Sequence, residues 1–563
     1  MKPLDFLVSA TLACVILVAG CSSETPPQTP GRAEPETGPP WFAETAVQRG
    51  IEFTHRSGHD GPHLMPEVPA GGGGLFDMDG DGDLDAYLLQ SGSLTRAEAR
   101  MPGNRLFENL GDGRFEDVTE GSGVEQSGYG MGLACGDYDN DGDVDLYVTN
   151  YGANAMLANQ GDGTFRDVTA VAGVGNEEWG SSAGFFDYDR DGDLDLFVVN
   201  YVHWTPETEL ECYNQMGALD YCGPKNYEAP SMDVLFRNEG DGTFTDATAA
   251  AGIDQAFGNG LGFAFGDFDS DGWLDIFVAN DGTLDQLWVN QKDGTFTDQA
   301  LIRGCAVDLE AGVPKAGMGV TIGDIDDDGD LDLMVCNLVD ESDSVYRNEG
   351  THFTDVTARA GLGRVSRHYT RFGMGWVDFD NDGRLDLYQS NGRVMRRADV
   401  FGEDPFAEPN LLFRGVEGGK FVEVLPRGGT AEELYFTSRA AAFGDIDDDG
   451  AVDVLVVNRD GPAQLMHNVT AERGNWIRFR VVEEHGRDAE GAQLSLSAEG
   501  RTMRRDVRSG FSYLACNDPR VHFGLGDTVE VGDVTVRWVD GTTETFGPFD
   551  AGSDFVLTRG AGR

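Results

Sequence analysis

Asp137-Tyr138-Asp139-Asn140-Asp141-Gly142-Asp143-Val144-Asp145, running on into Leu146-Tyr147-Val148-Thr149-Asn150, is one of seven copies of a single phrase, Asp-x-Asp-x-Asp-Gly-x-x-Asp. The copies begin at Asp77, Asp137, Asp187, Asp267, Asp324, Asp378 and Asp445, with all four aspartates and the glycine intact each time. Three carboxylates on alternate positions, a glycine that lets the backbone turn sharply and a returning fourth carboxylate make a cage of hard oxygens. A cation that takes six to eight oxygens at roughly 2.3–2.6 Å suits it, which points to Ca²⁺, up to seven of them, ahead of the more exacting Mg²⁺.

The predicted ligand sets are Asp77, Asp79, Asp81, Asp83 and Asp85; Asp137, Asp139, Asp141, Asp143 and Asp145; Asp187, Asp189, Asp191, Asp193 and Asp195; Asp267, Asp269, Asp271, Trp273 and Asp275; Asp324, Asp326, Asp328, Asp330 and Asp332; Asp378, Asp380, Asp382, Arg384 and Asp386; and Asp445, Asp447, Asp449, Ala451 and Asp453. The fourth member of each set includes Trp273, Arg384 and Ala451, so the ligand there is a backbone carbonyl. An EF-hand would carry glutamate at its twelfth position and helices on both sides; here that position holds Leu88, Val148 or Val456, and the flanks are short aromatic and β-branched runs that read as strands.

Each loop belongs to a larger unit that also contains a phrase such as Asn109-Leu110-Gly111-Asp112-Gly113-Arg114-Phe115, with variants from Asn159, Asn238, Asn290 and Asn348. Asp-Gly before an aromatic is a hairpin signal. The loop starts are 60, 50, 80, 57, 54 and 67 residues apart, room for about four strands per unit. Such units stack around a ring, so the expected fold is all-β, a seven-bladed β-propeller over residues 41–470. After Gly474 the acidic phrase stops while strand-like runs continue (476–482, 492–498, 534–539), predicting a small C-terminal β-sandwich over 474–560.

The repeats resemble the FG-GAP/VCBS repeats of integrin α-subunit propellers, in which such loops bind calcium. The order of features resembles the cartilage acidic protein family, where an ASPIC/UnbV domain follows the propeller. The second resemblance is carried by Ser438-Arg439-Ala440-Ala441-Ala442-Phe443-Gly444-Asp445, Asn458-Arg459-Asp460-Gly461-Pro462, Gly474-Asn475-Trp476, His522-Phe523-Gly524-Leu525-Gly526 and Val536-Arg537-Trp538. It departs at Gly486-Arg487-Asp488-Ala489-Glu490-Gly491-Ala492, where the family tends to Asn-Arg-Asp-Gly-x-Gly-Ala.

Residues 1–20, with an apolar core from Phe6 to Leu17, read as a signal peptide too short to span a bilayer. Val18-Ala19-Gly20-Cys21 resembles a bacterial lipobox, which implies that Cys21 is lipidated and the chain anchored at the cell envelope, on the outer membrane given Ser22. Residues 21–40, rich in Pro, Ser, Thr and Glu, read as an extended tether. Cys212 and Cys222 in the longest insertion are expected to form a disulfide in an oxidising space; Cys305 with Cys336 is a second possible pair, and Cys135 and Cys516 read as buried thiols. A formal charge of −57 makes nucleic acid and anionic membrane surfaces poor partners.

No nucleophile elbow, phosphate loop or zinc pattern is present. Three weaker clusters are His55, His59 and His63; the aromatics Tyr129, Trp179, Phe257 and Tyr369 ahead of Gly-rich strands; and the basic residues Arg364, Arg367, His368, Arg371, Arg393, Arg396 and Arg397. The expectations are, in turn, a loop with three histidines, packing between blades, and arginines that satisfy neighbouring carboxylates. Arg501, Arg504, Arg505 and Arg508 are placed to dock on the acidic ring. The expected function is a protein- or glycan-binding module without catalysis of its own; a polysaccharide lyase with His368 as base beside Arg371 is the rival.

Overall fold

In every repeat the acidic phrase is the turn between an innermost strand and its antiparallel neighbour. The innermost strands are Gly73–Phe76, Tyr129–Gly136, Gly180–Phe186, Gly260–Gly266, Val320–Gly323, Arg371–Val377 and Ser438–Gly444. Each belongs to a set of four antiparallel strands, seven sets in all, with one parallel strand added to the first and to the sixth, and this computed structural model describes them within residues 34–95, 103–126, 128–308 and 312–563. Innermost strands touch in cyclic order, and Ser438–Gly444 returns to Gly73–Phe76, closing the ring. The sheets are therefore blades of a propeller.

The seventh blade takes its outer strand, Phe42–Glu44, from the start of the ring, with Phe42 opposite Asn468. Glu36–Thr37, within the stretch read as tether, pairs in parallel with Val424–Leu425 on the sixth blade. The signal peptide and Cys21 lie outside the described residues.

Glycines on the innermost strands let neighbouring blades approach backbone to backbone. A Cβ on Gly262 would stand 2.0 Å from Met318 O, and one on Gly319 2.0 Å from Phe372 O. An asparagine on the third strand adds a second tie. Asn159 Nδ2 donates to Met78 O of the preceding blade, Asn238 Nδ2 to Tyr138 O, Asn290 Nδ2 to Tyr188 O, Asn348 Nδ2 to Phe268 O and Asn468 Nδ2 to Phe379 O. Asn109 Nδ2 donates to Ile446 O and carries the same bond across the closure. The sixth blade has Gly415 at this place, where a Cβ would meet Leu385 O at 2.2 Å.

The C-terminal domain sets a three-stranded sheet (Val521–Gly526, Asn475–Val482, Asp554–Thr558) against a four-stranded one (Arg501–Asp506, Gln493–Ala498, Val534–Arg537, Thr543–Phe546). Ile477, Phe479, Leu494, Leu496, Met503, Phe523, Val536 and Trp538 fill the space between. Its linker 507–520 enters the hub of the propeller. There Ala515–Cys516 lies parallel to Gly73–Gly74 of blade 1. Ser509 Oγ donates to Cys135 O of blade 2, and Leu514 N to Ser182 Oγ of blade 3. Gly510 lies against Phe263 of blade 4, and Ser512 exchanges two backbone hydrogen bonds with Val320 of blade 5. Ser512 Oγ accepts from Met374 N of blade 6 (3.0 Å) and donates to Ala441 O of blade 7 (2.8 Å). One segment thus touches all seven blades, and Ser512 and Leu514 hold positive φ (83° and 53°) to do so, a conformation that only over-determined packing sustains.

Ser512→Ala leaves Met374 N and Ala441 O buried without that partner, a loss of about 1–3 kcal/mol. The variant is expected to show a lower thermal midpoint and faster protease nicking than the parent, measured by scanning calorimetry and limited proteolysis; an unchanged midpoint would refute the pinning role of the hub segment.

Candidate metal centres

The same local geometry recurs in each loop. The first aspartate accepts from the glycine N–H five residues on, as Asp77 Oδ2 does from Gly82 N (3.1 Å) and Asp378 Oδ2 from Gly383 N (2.8 Å). The fifth-position carboxylate turns back to the seventh N–H, as in Asp141 Oδ1 with Asp143 N (3.0 Å). The last aspartate is a buried keystone: Asp145 Oδ2 accepts from Tyr138 N inside the loop and Oδ1 from Asn159 N on the third strand, at 3.1 and 2.8 Å. Asp85, Asp195, Asp275, Asp332, Asp386 and Asp453 repeat both bonds, to Gly415 N in the case of Asp386.

These turns bring the predicted carboxylates together. In the first three loops one oxygen each from positions 1, 3 and 9 lies within 4.8 Å of the others: Asp77, Asp79 and Asp85; Asp137, Asp139 and Asp145; Asp187, Asp189 and Asp195. In the fourth loop Asp267, Asp269 and Asp271 do so. Seventh-position side chains take different partners from loop to loop. Asp193 accepts from Asn140 of the neighbouring loop, Trp273 lies under Arg190, and Arg384 pairs with Asp382.

A cation fits on a further count. Buried carboxylate oxygens without any hydrogen-bond partner fall at positions 1 and 3: Oδ1 of Asp189, Asp267, Asp269, Asp326, Asp378, Asp445 and Asp447. Buried acceptors left unmatched cost free energy, and an ion facing them removes that cost. A bound Ca²⁺ would supply charge neutralisation, with positions 1, 3, 5 and 9 and the seventh carbonyl as its holders.

The loops are not alike in counter-charge. Among the described residues, the fourth loop has Arg537 at 3.2 Å from Asp267, Arg303 at 2.9 Å from Asp269 and Lys292 at 2.9 Å from Asp271. The seventh has Arg478 on Asp445, Arg49 on Asp447 and Arg473 on Asp449, each at 2.9 Å, and His467 Nδ1 3.1 Å from Asp453. Arg414 spans Asp380 and Asp382 in the sixth. Several of these cations come from the C-terminal domain. Arg501 reaches Asp327, Arg504 reaches Gly329 O, Arg505 reaches Gly383 O, Arg508 reaches Ile322 O and Arg520 reaches Gly82 O. The docking expected of the four arginines is what the structure shows.

The weaker clusters resolve differently. Tyr129, Trp179 and Tyr369 are buried with Tyr513 and Leu514 in the hub core, as packing, and Phe257 is exposed. Arg371 is fully buried against Asp343 (2.7 Å) while His368 faces solvent. Arg393 takes Glu408, Arg396 takes Asp220 and Arg397 takes Asp340. Cys212 and Cys222 are bonded; Cys305 and Cys336 are separate buried thiols, each against backbone carbonyls, which corrects the second possible pair, and Cys135 and Cys516 are buried as read. The inter-blade role of Asn109 and its equivalents is not read from the sequence, although Asn109, Asn159 and Asn238 stand at the same place before Gly-Asp-Gly.

Burial, with the other loop carboxylates, drives the keystone acids upward: Asp85 to about 8, Asp145 to about 9 and Asp332 to about 8, with Asp195, Asp275 and Asp386 also well above the carboxylate range. A folded pKa above the unfolded value of 3.8 means that the metal-free fold holds more protons than the open chain. That stabilisation is present at low pH and is lost as pH rises toward 8–9. In chelator the melting midpoint should therefore rise as pH is lowered from 8 to 6, a trend that saturating divalent ion should flatten; a midpoint in chelator that falls on this interval would refute it.

Among known protein families, the FG-GAP-like repeat profile matches residues 77–148, 137–198, 217–278, 267–335 and 324–388, together just over half of the chain. The ASPIC and UnbV profile matches residues 482–563. Cartilage acidic protein 1 of Homo sapiens is 28% identical over 310 residues, 53% of this chain and 43% of that protein. The Xenopus tropicalis protein of the same name is 26% identical over 476 residues, 83% of this chain and 60% of that protein. The chain spans about half the length of the curated relatives it matches. Similar solved structures include YCF48 bound to D1 peptide (8% identity, 72% of this chain and 96% of that one, TM-score 0.40) and the WD40 β-propeller domain of Doa1 (10%, 71% and 94%, TM-score 0.35), likenesses too loose to carry an argument. The chain belongs to the FG-GAP-like repeat family and carries an ASPIC and UnbV domain at its C-terminal end.

Proposed function

We propose that this chain is a lipid-anchored, calcium-stabilised propeller that binds a protein or glycan ligand outside the cytoplasm of a bacterial cell, with no catalysis of its own. The observation that carries the calcium reading is the convergence of carboxylates at positions 1, 3 and 9 with buried oxygens that nothing else satisfies. The kinship with cartilage acidic protein and the FG-GAP repeats supports an interaction module. The lipobox-like Val18-Ala19-Gly20-Cys21 supports anchoring through Cys21. No helix among the described residues is long and apolar enough to cross a membrane.

Metal that binds only the folded state adds about 2.7 kcal/mol per site at a hundredfold excess over Kd. EGTA should lower the melting midpoint by at least about 10 °C at pH 7.5, reversed by Ca²⁺ and not by equimolar Mg²⁺; an unchanged melt would defeat the calcium reading. Cys21→Ala should move the protein from the membrane fraction to the soluble extracytoplasmic fraction, and continued membrane partitioning would defeat the anchor.

A further inference from the structure

The acidic loops and the C-terminal domain occupy the end of the ring where the innermost strands finish. At the other end, where those strands start and their neighbours finish, four distant segments meet. They are the stretch 55–67 ahead of blade 1, the disulfide-closed insertion of blade 3, the insertion 392–410 of blade 6 and the turn at Arg459 in blade 7. Asp220 of the third blade accepts from both N and Nε of Arg396 of the sixth (2.9 and 3.3 Å), joining insertions from opposite sides of the ring.

Beneath that bridge the side chains are ordered by one buried carboxylate. Glu67 Oε2 accepts from Tyr221 OH and pairs with His59 Nδ1, both at 2.7 Å. The bond at Nδ1 leaves His59 Nε2 free at the surface, the side chain being 38% exposed. The His59 and His63 rings stand 5.1 Å apart, and His63 Nε2 faces Arg396 Nη2 at 3.3 Å. His55, the third of the series, is buried against Ser91 and Asp460 N and takes no part.

Arg459 is the group left over. It is 4% exposed and lies over the Phe406 and Tyr221 rings (4.5 and 5.4 Å), yet its Nε and Nη1 make no hydrogen bond. The nearby Asp460 Oδ2 is 3.8 Å from Nε and is held by Ser57 Oγ at 2.8 Å. A buried guanidinium with unfilled donors is expensive, and an acceptor that reaches either of them recovers part of the cost.

We propose that this cluster is a binding site for a single carboxylate group, carried by a sugar acid or an amino acid, with Arg459 as its buried anchor and His59 Nε2 and His63 as its hydrogen-bonding rim. The charge balance selects the class. Arg396 and Arg459 stand beside the imidazoles, and burial with Arg396 holds His63 below the usual imidazole range. Asp220, Asp460 and Glu67 around the anchor oppose a dianion such as phosphate more strongly than a carboxylate, which brings one negative charge. The proposal rests on the reading of the chain as a binding module and names where its ligand sits.

The test is saturation-transfer NMR on the full soluble chain with Ca²⁺, using D-glucuronate, N-acetyl-L-glutamate, D-glucose and inorganic phosphate as probes, on the parent and on Arg459→Gln, Arg459→Lys and His59→Gln. At least one carboxylate should bind, glucose and phosphate should not, Arg459→Gln should weaken binding at least tenfold and Arg459→Lys less. Binding of glucuronate alone assigns a saccharide source, and of N-acetylglutamate alone a peptide source. If Arg459→Gln fails to keep the parent's melting midpoint, surface-placed His59→Gln decides, with a loss of at least threefold expected. Absence of binding by both acids, equal binding of phosphate, or binding unchanged in a folded variant would overturn the site. New product signals in the same tubes would instead strike the non-catalytic reading, and leave the Arg459 site standing if its variant pattern holds.

Discussion

The fold hangs on a buried aspartate used seven times. The last carboxylate of each acidic loop spends one oxygen on the loop's own backbone and the other on the third strand, so that turn and sheet are one unit. The asparagine or, in blade 6, the glycine that supplies the second N–H sits at the same register in every blade, and six asparagines continue the tie to the blade before. Placing such a charge in the interior is costly. The cost is met locally by two N–H donors and, on the reading proposed here, by an ion held against positions 1 and 3. On that reading blade geometry and metal chemistry are the same constraint seen from two sides.

That constraint makes the C-terminal domain more than an appendage. Its arginines lie on the loop end of the ring, where the field of the aspartates is strongest, and its linker fills the hub that seven Gly-rich strands leave open. The cations are spread unevenly. The fourth loop has three carboxylates paired with basic side chains and the seventh four, His467 included, whereas among the described residues no such pair is found at the second and third. Seven loops of identical phrase are thus held in seven different electrostatic settings, and their affinities for a divalent ion should spread accordingly.

Much of this was legible because the phrase is local. The alternation of aspartates, the glycine and the strand run after Asp145 specify loop and blade without reference to anything distant, and repetition turns one blade into a ring. Arginines at 501, 504, 505 and 508 were readable as counter-charges for the same reason: a basic stretch in a chain of net charge −57 has few other partners. The hub segment was not legible, since Phe511-Ser512-Tyr513-Leu514 looks like any short strand and its meaning comes from seven blades that surround it. Cys305 and Cys336 fall in one sequence unit, but one packs beside Ala300 after the last strand of blade 4 and the other at the Arg371 backbone, a separation that sequence spacing does not reveal.

The cluster around Arg459 escaped for a further reason. His59, Tyr221, Arg396 and Arg459 are separated by up to 400 residues, and none belongs to a repeated phrase. In a propeller, repetition records what every blade must do to stand, whereas recognition has to come from the segments that break it. The insertions of blades 3 and 6 are the departures from the period, and they meet across the ring at the end that the C-terminal domain leaves uncovered. One end of the ring is given over to the acidic loops and the C-terminal domain that docks on them; the other keeps a buried guanidinium with open donors among the segments that break the repeat, where a ligand can offset the cost.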